Sequence, residues 1–152
     1  MDADKQTVTL RQVVADVLER FAFSFVEDEE PQFQDDEWLV SDLAFKGPVH
    51  GKVSLALSRT LASELGVNIL GVDPDAAPPE LASDAARELT NIICGDVLFR
   101  LYGPQAVFDL CVPALRTVAS IQTVEQEIPS DAAVVELSVE GHRISAWLTL
   151  EG

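Results

Sequence analysis

The chain has 152 residues, 47% apolar and 24% charged, and its 10 Lys and Arg stand against 26 Asp and Glu for a net charge of −16. That length and apolar content describe one self-sufficient globular domain over residues 1–152 and exclude disorder. So few cations exclude both a phosphate-neutralising nucleic-acid surface and adhesion to an anionic membrane.

Uncharged runs reach only eight residues, as in Leu101 to Phe108, against the roughly 20 apolar residues of a membrane helix. Met1 to Lys5 carries two Asp with no apolar stretch directly behind it, unlike a secretory signal, so the expected address is the cytoplasm.

From about Thr7 to Phe25, Leu10, Val13, Val14, Val17, Leu18, Phe21 and Phe25 recur at helical spacing opposite Arg11, Asp16, Glu19 and Arg20, which predicts an amphipathic helix. Acid then accumulates through residues 27–37, in Glu27, Asp28, Glu29, Glu30, Asp35, Asp36 and Glu37 around Pro31. This stretch reads as a self-repelling, solvated loop.

Trp38 to Phe45 and then Val53, Leu55 and Leu57 alternating with Ser54 and Ala56 predict a hairpin with one face buried, its turn holding Gly47, Pro48 and Gly51. Ser58 is placed to cap a short helix ending near Leu65, with Gly66 as its left-handed stop. After a loop from Asp73 to Pro79, the longest helix is expected from about Glu80 to Tyr102, halted by Gly103 and Pro104.

Extended structure is expected around Thr117 to Val124. It is expected again through Val135, Leu137 and Val139, a tight turn at Gly141, and Ile144, Ala146, Leu148 and Leu150. Val53 to Leu57 and Ile144 to Leu148 look alike, which hints at a repeated helix followed by paired strands. Helices followed by strand runs predict an α+β fold, a mostly antiparallel sheet with helices packed on it.

Cys94 and Cys111, with only His50 and His142 besides, show no metal-ligand spacing and read as two reduced thiols. No nucleophile triad and no glycine-rich phosphate loop is present.

The long helix is the informative element. At about 100° per residue, Leu81, Ala82, Ala85, Ala86, Leu89, Ile92, Ile93, Val97 and Phe99 fall on one arc, expected to face the core. Beside it, Asp84, Glu88, Asn91 and Gly95 form a stripe only about 60° wide. A carboxylate and a carboxamide thus project side by side, while Gly95 lets another backbone approach.

Glu88 and Asn91 without a histidine, nucleophile or metal are a poor stand-alone active site. An amide that can hold a water and a carboxylate that can meet a cation suit a reaction whose electrophile comes from elsewhere. A hydrolase using Glu88 with Asp84 as acid and base is disfavoured, because exposed carboxylates lack a pocket to separate their pKa values.

Asp84, three residues, Glu88, two residues, Asn91, then twenty-one residues and Pro113 resembles the signature of the CheC/CheX/FliY family of chemotaxis phosphatases, which has Asp or Ser at its first position. The resemblance covers roughly residues 8–150 and is nearest the CheX branch.

It implies a phosphatase acting on the phospho-aspartate of a CheY-like response regulator. Asn91 would orient the attacking water and Glu88 would pair with the regulator's phosphate-binding lysine, with Asp84 and Pro113 shaping the helix and the following strand. The chain would bind no cofactor; Mg²⁺ would belong to the regulator. One site per chain is expected, since Glu19 on the first helix is followed three residues on by Ala22 rather than Asn. The branch also resembles a homodimer joined through strands. The alternative is a non-catalytic adaptor or dimerisation module in a signalling or flagellar-switch assembly.

Overall fold

The computed structural model describes residues 2–151. Helix α1 spans Ala3–Ala22, opened by the Asp2 carboxylate accepting from the Asp4 N–H. It stops earlier than its periodicity suggests. Phe23 turns left-handed at φ 54°, and the Ser24 N–H closes back on the Leu18 carbonyl at 3.1 Å. Phe25, beyond this stop, is exposed, and so is Phe21 within the helix, although both are expected on the core face.

Two hairpins build the sheet. β2 (Trp38–Lys46) pairs with β3 (His50–Ser58), and β6 (Ala133–Val139) pairs with β7 (His142–Glu151). The second hairpin turns through Glu140 and Gly141 at φ 52° and 78°, the two positive values a tight hairpin turn needs. β3 and β7 meet antiparallel at the centre, with Leu57 opposite Ile144 and Val53 opposite Leu148, so the two look-alike segments are direct neighbours.

The sheet closes with β1 (Val26–Glu27) beside β6, and with β4 (Asp109–Leu110) and β5 (Ala114–Val118) in succession along the outer edge of β2. Three residues, Cys111 to Pro113, lie opposite two of β2 there. Pro113, lacking an N–H, sits buried in this bulge.

α1, α2 (Arg59–Ile69) and α3 (Leu81–Tyr102) cover one face of the sheet. The helices cross over: α1 lies on β6 and β7, whereas α3 lies on β2 and β3. Ser58 caps α2, accepting from the Leu61 N–H at 3.0 Å, but the helix runs on to Ile69. Gly66 is therefore not a left-handed stop. It is buried inside α2, where a Cβ would sit 3.0 Å from the Ala85 Cβ, and it sets how closely α2 approaches α3.

Strand structure ends at Val118, and the expected extension to Val124 is instead helix α4 (Ile121–Glu127), capped by Ser120. The amphipathic turn places Val124 over Trp38, Val40, Ala56 and Trp147, a second small core on the opposite face. This cover explains why β3 is buried on both faces rather than one.

The acidic stretch is also not a free linker. Asp35 bonds the buried His142 Nδ1 at 2.9 Å beneath a stacked Phe33, Glu37 pairs with Arg59 at 2.8 Å, and Glu27 accepts from the Gly141 N–H. Specific partners thus offset the repulsion of neighbouring carboxylates.

Candidate functional site on α3

α3 follows Pro78 and Pro79, is held through its middle by packing rather than by propensity, since Thr90 to Gly95 are poor helix formers, and ends at Gly103 with φ 84°. It is buried over a wide arc, since α2, α1 and the sheet all pack on it. Leu81, Ala82, Ala85, Ala86, Leu89, Thr90, Ile93, Cys94, Val97, Leu98 and Leu101 are buried. The stripe lies among what remains to solvent: Asp84, Glu88 and Gly95 are exposed and Asn91 is half-buried, and Phe99 and Arg100 are exposed near the helix end.

Phe99 departs from expectation. It shares its wheel angle with the buried Leu81, yet it is 56% exposed. Leu81 is covered by α2 at Gly66; at the far end of α3 that cover is missing.

The cations around the stripe are already engaged. Arg87 bonds the Asp84 carboxylate at 3.4 Å, and Arg100 bonds Asp16 of α1 at 2.8 Å and Asp96 at 3.2 Å. These carboxylates hold Arg100 above its ordinary pKa.

Glu88 forms no ion pair among the described residues, and neither it nor the Asn91 carboxamide takes part in an internal hydrogen bond. Asp84 engages Arg87, the residue just before Glu88, and no cation stands three or four residues from Glu88 on the helix. Asp84 is also well placed in the first turn, where the helix dipole favours a carboxylate.

Neither of two grooves, of about 800 Å³ and 470 Å³, is lined by Asp84, Glu88, Asn91 or Gly95. Pairing of Asp84 with Arg87 further removes it as a partner acid or base for Glu88. Among the described residues no His, Cys, Asp and Glu group could hold a metal ion, and no helix is long and apolar enough to cross a membrane.

Cys94 lies in the core behind the stripe, its thiol pushed up to about 12 by burial, while Cys111 is exposed at the bulged edge. Such an arrangement supplies an acceptor and an amide to something that docks on it.

Pro113 is remote in sequence and sits in the edge bulge; Asp84, Glu88, Asn91 and Gly95 share one helix face. Phe99 belongs to that face too, a placement the helical wheel misassigns because it carries no information on where a neighbouring helix ends.

No curated protein matches the sequence. Among solved structures, a CheC-like superfamily protein from Shewanella sp. PV-4 is 20% identical, with full coverage of both chains and a TM-score of 0.68. The chemotaxis protein CheX of Vibrio vulnificus is 16% identical over 99% of each chain, TM-score 0.67. The CheX of a Borrelia burgdorferi CheX–CheY–BeF₃–Mg²⁺ complex is 16% identical over 95% of this chain and 97% of that one, TM-score 0.64. At such identities the likeness is one of fold. The family model for the chemotaxis phosphatase CheX matches residues 40–135, well over half the chain and including both Glu88 and Asn91, and the chain therefore belongs to the CheX family.

Proposed function

We propose that this chain is a phosphatase for the phospho-aspartate of a CheY-like response regulator. The observation that carries the reading is the accessible pair on α3: Glu88 without an ion pair and Asn91 without a hydrogen bond among the described residues, side by side on one face of a long helix. Family membership supports it, as does the complex that the Borrelia relative forms with CheY.

In this reading the regulator brings the phosphoryl group and the Mg²⁺. The Asn91 carboxamide oxygen accepts a hydrogen bond from a water and holds it in line with phosphorus. The water oxygen bonds to phosphorus as the bond to the aspartate oxygen breaks, leaving inorganic phosphate and a free carboxylate. Glu88 fixes the docked geometry by pairing with a lysine on the regulator. Positioning is the whole contribution of this chain.

The test uses a regulator phosphorylated from a small-molecule donor in Mg²⁺. The chain is expected to accelerate phosphate release, and Glu88→Ala and Asn91→Ala are each expected to lose about 100-fold or more of that acceleration with the fold intact. Full activity in Asn91→Ala would sink the mechanism. Binding of the regulator with no acceleration would favour the adaptor alternative.

We also propose a homodimer joined through sheet edges. Among the described residues the edge formed by β4 and β5 pairs with no further strand, and the bulge between them carries Val112 at 85% exposure. Light scattering should return twice the 16.5 kDa chain mass; a monomer at micromolar concentration is the contrary result.

A further inference from the structure

The fold makes no use of the missing side chain of Gly95. A Cβ added there meets nothing within 4 Å, unlike one at Gly66, which meets Ala85 and Leu81. A glycine in the middle of a helix weakens it relative to alanine, so a position the chain itself could improve points outward. Phe99 points the same way. It is 56% exposed, one turn beyond Gly95 and eleven residues from Glu88, about 16 Å along the same line of the helix.

An isolated exposed aromatic means little. Here it stands in register with an unneutralised carboxylate, an unbonded carboxamide and a cleared patch of helix backbone. Arg100, the residue after Phe99, is held by Asp96 and Asp16, so the cation at this end of α3 is already paired.

We propose that the docking surface for the regulator extends from Glu88 and Asn91 toward the C-terminal end of α3. Gly95 is where the partner's main chain comes into contact with the helix, and Phe99 is the apolar anchor beyond it. The proposal rests on the phosphatase reading, and it assigns Gly95 and Phe99 to partner affinity rather than to chemistry.

The experiment measures kcat, KM and the thermal midpoint for Gly95→Ala, Gly95→Leu and Phe99→Ala, with phosphorylated CheY-like receivers from the same genome in Mg²⁺. It adds equilibrium binding of the same receivers activated with beryllofluoride. Gly95→Ala should raise the thermal midpoint by about 2–4 °C while raising KM. Gly95→Leu and Phe99→Ala should each raise KM and the dissociation constant about tenfold, with kcat within about twofold of the parent.

Unchanged KM and affinity in both Gly95→Leu and Phe99→Ala overturn the proposal. If the parent binds activated receiver without hydrolysing its phosphoryl group, the phosphatase reading falls and the dissociation constants alone decide the docking surface. No binding to any receiver overturns both.

Discussion

α1 lies across β6 and β7 much as α3 lies across β2 and β3, yet the two helices use their outward residues differently. On α1, Asp16 is bound to Arg100, Arg20 stacks over the Phe21 ring at 5.6 Å, and the residue three beyond Glu19 is the fully buried Ala22. On α3 the corresponding spacing joins Glu88 to Asn91, and neither has a partner among the described residues. Two helices with the same structural task can thus differ wholly in what they offer a partner, and fold likeness alone does not tell them apart.

The contrast is broken or sharpened most strongly by removing one carboxylate from each helix. Glu88→Ala is expected to cost about 100-fold in regulator dephosphorylation, whereas Glu19→Ala should stay within about twofold. Equal losses would mean that α1 also touches the regulator.

A smaller effect separates two glycines that the sequence presents alike. Gly66→Ala puts a methyl group 3.0 Å from Ala85 and Leu81 between packed helices and should destabilise by about 1–3 kcal/mol in denaturant unfolding. Gly95→Ala should stabilise by about 0.5–1 kcal/mol. The same sign for both would show that α2 can shift freely on α3.

At neutral pH the smallest effect is that of Cys94. Its folded pKa, about 12 against an ordinary 9.0, means that the native state retains a proton which the unfolded chain loses above pH 9. Stability should therefore be indifferent to this group below pH 9 and fall as pH rises from 9 toward 12. In the folded protein a thiol reagent should label Cys111 at once and Cys94 only on unfolding; rapid labelling of both would show that α3 opens readily.

Local patterns were the legible part. The span of α3, the stripe of Asp84, Glu88, Asn91 and Gly95, and both hairpins follow from periodicity, caps and turn residues within a few positions. What escaped depended on distant neighbours. Phe99 is exposed because α2 covers only the first part of α3, and no wheel contains that. The acidic stretch is ordered through His142, 107 residues from Asp35.

α4 was hidden because Val118 and Val124 suit a strand as well as a helix. Ser120, whose hydroxyl accepts from the Thr123 N–H at 3.2 Å, was the available signal. For the site itself, the sequence could locate Glu88 and Asn91 but not show that Arg87 is committed to Asp84.

The crossing of the helices bears on how such a molecule can be divided. Each helix precedes one hairpin in the chain and packs on the other, which is a domain swap carried out within a single polypeptide. Half the chain would expose both the apolar side of its helix and the bare face of its hairpin. Neither half has a core of its own, so the two must fold as one cooperative unit, through contacts between residues far apart in sequence.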